Sequence, residues 1–436
     1  MNRLMSQPFL IVMSLLLMVS LVLTTCSPKI TSLPSYITTT APTITKATTS
    51  LTETTSSTSG TPPVPAEYQS LYSELSSEMG HFEGVLNQQS IRSQQPAFAT
   101  DLLFANGNVG PGLLTTQNMN NNIILLNRLQ AMGFKGVVIA IKFPLLKPDF
   151  PHSADYLQFY QQIMAECHKR GMKVLVECGA IFSGTAYSSV QIDWSQYTTQ
   201  TFLQGLENQL LLVAYEIKPD YLTLANEPET DESLTKLTIS PIVWRNFIAD
   251  TVAKVDRSDG ILVGAGTGTW ENPAYVNELF NMTGLDYIDL HIYPMNKDAA
   301  LLDRALTYAQ QALANGKRVT ISESWLWKAS PDELGNGLGD TEKIMNRDMY
   351  SFWEPLDERY LQDMMKLADV TGMDFVSFFW MRNFFAYLEY NNTTQNLTTA
   401  ALTGLINQAY TSNVLTGNLS PLGLYIQQQL NSNTHQ

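Results

Sequence analysis

The sequence predicts a (β/α)8 barrel, a closed ring of eight parallel strands with helices outside, built as a single domain. Three observations predict it. From residue 97 onward about eight apolar, β-rich runs alternate with helical patterns to the end of the chain. Residues just after these runs are polar, ionisable or aromatic, whereas those just before are mostly Gly, Asp and Lys turns. That asymmetry suits a barrel whose working loops all sit at the carboxyl ends of its strands. No Gly-rich strand-to-helix turn opens the alternation, as an open doubly wound sheet would normally require.

In order, 67–96 reads as a helical lead-in placed to cover the barrel floor, and 97–432 as the barrel. A strand is expected over 97–104 and an amphipathic helix over 116–132, then a strand over 136–141 and a helix over 154–170. Next come a strand over 172–177, a long helix over 199–217, a strand over 221–225 and a helix over 241–255. The fourth strand must stop at Asn226-Glu227-Pro228, because proline cannot donate to a ladder and holds the residue before it extended. The fifth unit pairs 261–264 with a helix over 273–280, the sixth 287–291 with 299–314. A strand over 318–322, a long loop, a helix over 357–370, a last strand over 374–379 and a helix near 420–430 complete the chain.

Composition narrows the function. The 436 residues carry a net charge of -14 with only 15% charged side chains, so nucleic acid or an anionic membrane surface is not an expected partner. With five histidines, no Walker motif and no dinucleotide fingerprint, neither a cofactor nor a metal is expected. The first 26 residues join Arg3 to an apolar run over 9–23, the length of a secretion signal core, and end in Leu23-Thr24-Thr25-Cys26. This tetrapeptide resembles the lipobox of bacterial lipoproteins. The resemblance implies lipidation at Cys26, secretion, and a membrane association made only through that anchor, facing the cell surface or periplasm. Residues 27–66 turn to Thr, Ser and Pro and predict a disordered stalk. Cys167 and Cys178 are expected at opposite ends of a helix and the next strand, too far apart to bridge, as two free buried thiols.

The strand ends converge on one pocket in such a barrel. They supply Asn106, Lys142, Glu177, Asn226 with Glu227, 267–271, His291 with Tyr293, Glu323 with Trp325, and Trp380 with Arg382. Glu227 and Glu323 end the fourth and seventh strands and should face each other. Cleaving a glycosidic bond needs two carboxyls in that relation, one delivering a proton and the other meeting the oxocarbenium-like carbon or activating water. Asn226-Glu227-Pro228, His291-Ile292-Tyr293, Glu323 and Trp380 together resemble the large clan of retaining (β/α)8 glycoside hydrolases that contains cellulases, mannanases and galactanases. The resemblance implies Glu227 as general acid/base and Glu323 as nucleophile. It implies Asn226 on the sugar 2-hydroxyl, Tyr293 donating to Glu323, His291 orienting the acid/base side and Trp380 under the sugar. Many members of that clan carry Arg or His after strands two and three, where this chain has Lys142 and Glu177. Glu177 would bind sugar or tune the acid, and Trp325 would offer a stacking face.

The expected partner is a carbohydrate, acted on by a monomer through an open cleft walled by the loop over 328–355. The alternative is a lipoprotein that binds carbohydrate on a decayed barrel, which would keep the tryptophans without needing both acids. Metal-assisted hydrolysis would need clustered His and Asp ligands, and the histidines are scattered.

Overall fold

The computed structural model of the protein describes residues 62–432 apart from 93, 186, 294–299, 331–332, 334–343 and 345. The apolar run, Cys26 and the Thr/Ser/Pro-rich segment as far as 61 lie outside the described residues, as does most of the loop over 331–345. Among the described residues no helix is long and apolar enough to cross a membrane.

Eight strands close into a parallel barrel in chain order. They are β1 (Ala97–Asp101), β2 (Gly136–Ala140), β3 (Lys173–Glu177), β4 (Tyr221–Thr223), β5 (Leu262–Gly268), β6 (Tyr287–Ile292), β7 (Arg318–Ser324) and β8 (Phe375–Phe378), and β8 pairs back onto β1. Around them run α1 (Gln69–Leu86), α2 (Thr116–Met132), α3 (Ser153–Lys169), α4 (Thr199–Leu212), α5 (Pro228–Thr235) and α6 (Pro241–Lys254). The ring continues with α7 (Pro273–Asn281), α8 (Ala300–Ala314), α9 (Glu354–Thr371), α10 (Thr399–Thr416) and α11 (Pro421–Ser432). The lead-in helix α1 packs on α9 and α8 and so widens the outer ring. The floor is plugged from within by Val138, Leu175, Tyr221, Tyr287 and Phe375.

Where the strands differ from expectation, packing explains it. β5 continues to Gly268 through Gly-Ala-Gly-Thr-Gly, beyond the strand expected over 261–264. A Cβ on Gly264 would stand 2.3 Å from the Tyr287 ring, and one on Gly266 2.5 Å from the Asn226 carbonyl oxygen, so these glycines serve close strand packing. Asn226-Glu227-Pro228 does stop β4, and it also starts α5, with Pro228 in the first turn and Asp231 N donating to Glu227 O at 3.0 Å. Neither α5 nor α10 is visible as an amphipathic pattern. The signals for α10 were its ends, Thr398 accepting from Ala401 N and Gly417 in the left-handed region at φ 83°.

Cys167 and Cys178 are buried and unbridged, and burial pushes both thiols up to about 12. Burial likewise pushes the carboxyls of Glu78, Glu229, Asp231, Glu354 and Asp357 up to about 7, and Asp363 to about 8. A carboxyl with a pKa raised by folding favours the folded state fully below its unfolded value, and this is lost as pH rises through the folded value. Glu333, pulled down to about 2 by its hydrogen bond to Arg347, acts in the opposite sense only below that window. Stability is therefore expected to fall between about pH 4 and pH 8. Guanidinium unfolding at pH 5 and pH 8 checks this, and a midpoint that rises with pH would contradict it.

Candidate active site

The carboxyl ends of β3, β4, β6 and β7 bring Glu177, Asn226, Glu227, His291, Tyr293 and Glu323 to one place, and each is at least 98% buried. His291 is the hub. Its Nδ1–H donates to Glu227 Oε1 at 2.7 Å and lies 3.6 Å from Glu323 Oε2. Its Nε2 stands 2.7 Å from Ser322 Oγ and 3.4 Å from Glu177 Oε2. The Tyr293 hydroxyl donates to Glu323 Oε2 at 2.6 Å.

A shift in strand register makes this possible. Leu290 pairs with Ile321, but the next pair is His291 with Glu323, so β7 carries one extra residue. A bulge of this kind re-aims side chains beside a site. Here it sets Glu323 opposite His291 while Ser322 still reaches the ring. Beneath lies a polar layer: Thr223 and Thr320 donate to the two oxygens of Asp289 at 2.8 and 2.6 Å. Ser322 and this layer carry no motif, and were missed in the sequence.

Charge is unevenly shared. Burial pulls the His291 pKa down, but the Glu323 charge and the hydrogen bonds to Glu177 and Glu227 outweigh it, holding the ring protonated. Burial and the charge of Glu177 push Glu323 well above the usual carboxylate range. Burial also raises Glu177, yet His291 and then Lys142 bring it down to about 2. Glu177 faces both cations, whereas Glu323 faces one cation and two carboxylates, so the two carboxyls are pushed in opposite directions. Asp101, at the end of β1, is also pushed well up, by burial and by Glu177.

Trp380 is buried with the Arg382 guanidinium 4.8 Å over its ring, and no nitrogen of that guanidinium has a partner among the described residues. Trp325 is anchored elsewhere, its Nε1–H donating to Asp348 Oδ2 at 2.8 Å and Lys328 lying 4.9 Å over its ring. Lys142 Nζ lies 5.6 Å from the Phe182 ring. Most of the loop expected to wall an open cleft lies outside the described residues.

Glu177, His291 and Glu323 offer ligand atoms within 4.8 Å of one another, close enough for a metal ion. They fit one poorly, because both imidazole nitrogens already have hydrogen-bond partners at 2.7 Å, leaving no lone pair to give.

No family model matches the chain, and no curated protein does. Solved structures are similar at low identity. An exo-β-1,4-mannosidase from Opitutaceae bacterium strain TAV5 aligns at 13% identity over 75% of this chain and 63% of its own, with a TM-score of 0.45. GH5_18 from Bifidobacterium longum subsp. longum ATCC 55813 aligns at 12% identity over 77% of this chain and 79% of its own, with a TM-score of 0.48. A GH113 β-1,4-mannanase aligns at 14% identity over 73% and 99%, with a TM-score of 0.42. At these values none of them assigns this chain a substrate.

Proposed function

We propose that the protein hydrolyses β-linked poly- or oligosaccharide with retention of configuration, Glu323 acting as nucleophile and Glu227 as general acid/base. One observation carries this reading: Glu227 and Glu323 hold oxygens 2.7 and 3.6 Å from the same nitrogen of His291. Those oxygens are therefore nearer each other than the about 6.5 Å that leaves room for an attacking water, which favours direct attack on the sugar.

A proton passes from His291 Nδ1 to Glu227 and on to the leaving oxygen as the glycosidic bond breaks. Glu323 bonds the anomeric carbon as its carboxylate, with the Tyr293 hydroxyl donating to Oε2. Water, deprotonated by Glu227, then releases the sugar and restores Glu323. Asn226 Oδ1, buried and without a partner among the described residues, can accept from the sugar 2-hydroxyl. Trp380 forms the apolar floor. Tethering through a lipid at Cys26 belongs to the same proposal.

The test is release of reducing sugar from β-mannan, β-galactan, xylan and β-glucan and their short oligosaccharides, with the new anomer followed by NMR. The β-anomer should appear first. An α-anomer would overturn the roles given to the two glutamates, and no cleavage of any substrate would overturn the hydrolase reading.

A further inference from the structure

Beside this site, the segments after β4 and β5 line a half-open cavity of about 380 Å³. Its wall begins at Pro228, the residue after Glu227, and includes Trp244 of α6 and Tyr275 of α7. Three carboxylates line it, Glu229, Glu232 and Glu271, against one exposed lysine, Lys236. One oxygen of each is accounted for. Glu229 Oε1 accepts from Asn272 N at 3.0 Å, Glu271 Oε1 from Glu229 N at 3.2 Å, and Glu232 Oε1 from Trp244 Nε1 at 3.0 Å.

Two atoms are not. Glu271 Oε2 and Ser233 Oγ are buried, belong to residues lining the cavity, and have no hydrogen-bond partner among the described residues. A buried acceptor left unpaired is costly, and two on one cavity wall mark the place of a donor.

We infer that this cavity binds a small organic cation, an ammonium group carried on an apolar body. The ammonium has three donors and no acceptor, which suits Glu271 Oε2, Ser233 Oγ and the remaining Glu229 oxygen. The body would lie against Trp244 and Tyr275, whose ring faces favour a neighbouring cation. A metal ion suits the cavity less, because among the described residues the carboxylate and imidazole atoms close enough to share one belong to Glu177, His291 and Glu323. The inference does not depend on the hydrolase reading.

Its chemistry makes it testable through protons. Burial pushes Glu229 up to about 7, and burial and the Glu229 charge push Glu271 well up, so without a ligand this pair gives up its protons less readily than ordinary carboxyls. A bound cation favours the ionised carboxylates and must expel them. Glu227 and Glu232 add to the negative field and Lys236 opposes it.

The experiment is calorimetric titration of the full chain with cyclohexylammonium at pH 6 and pH 8, in buffers of different ionisation enthalpy. Cyclohexanol is the uncharged counterpart. The ammonium should bind with proton release and tighten as pH rises, cyclohexanol should not bind, and Glu271→Gln should weaken binding at least about tenfold. Glu229→Gln serves as a second variant should the first fail to fold. Equal binding of cyclohexanol, undiminished binding by a folded variant, or no binding by the parent overturns the inference. None of these readouts needs hydrolysis, so they remain valid in Glu323→Gln, where the hydrolase reading is tested separately.

Discussion

Glu323→Gln is expected to lower kcat/KM on the best substrate by on the order of 10⁵-fold. The amide keeps the shape of the side chain and the acceptor that the Tyr293 hydroxyl uses at 2.6 Å. It also carries no charge against Glu177, so the fold should stand. What it cannot do is bond the anomeric carbon. Glu227→Gln is the informative contrast. It removes proton delivery, a contribution of about 10²–10⁴, and should cost far less on aryl glycosides whose leaving group needs no proton. Kinetics beside thermal melts of both variants decide the matter. A folded Glu323→Gln enzyme with near-parent activity would end the assignment. A parent that cleaves nothing, yet binds a saccharide as tightly as the variant does, would make the protein a binding protein.

Lys328→Met should destabilise the protein by about 3–5 kcal/mol, the usual consequence of breaking a buried ion pair from one side. Lys328 Nζ is buried between Asp348 and Asp357, which are also buried. The Tyr387 hydroxyl donates to Asp357 at 2.8 Å, and Trp325 Nε1 donates to Asp348 at 2.8 Å. Methionine fills the space but leaves two buried carboxyls without their cation. Asp357, already raised to about 7 by burial, can take up a proton, so the loss should be smaller at pH 5 than at pH 8. Arg318→Met supplies the comparison. Its 2.6 Å pair with Asp374 lies at the surface, with the arginine side chain 57% exposed, and should be worth no more than about 1 kcal/mol. Denaturant unfolding of the two variants measures the difference. Equal losses would mean that burial does not set the worth of the Lys328 network.

Much of the barrel is legible in the sequence because its signals are local. A strand buried on both faces shows as a short β-rich apolar run, and Pro228 ends one wherever the rest of the chain lies. Asn226, Glu227, His291, Tyr293 and Glu323 could be placed at strand ends for the same reason, and the strand order then brings them to one mouth. The misreadings came where tertiary packing overrode local pattern. Glycines past the expected strand end extend β5 because the Tyr287 ring and the Asn226 backbone leave no room for a Cβ.

The sequence alone determined the order of strands and helices, the residue types at each strand end and the acidic balance of the chain. Only the tertiary structure decided that one extra residue in β7 sets Glu323 opposite His291. It also decided that Lys142 and His291 hold Glu177 ionised, and that Glu271 faces a cavity with an oxygen unpaired. Period and propensity act between residues a few positions apart, whereas register, desolvation and charge pairing depend on distances through space between strands 30 or more residues apart in the chain.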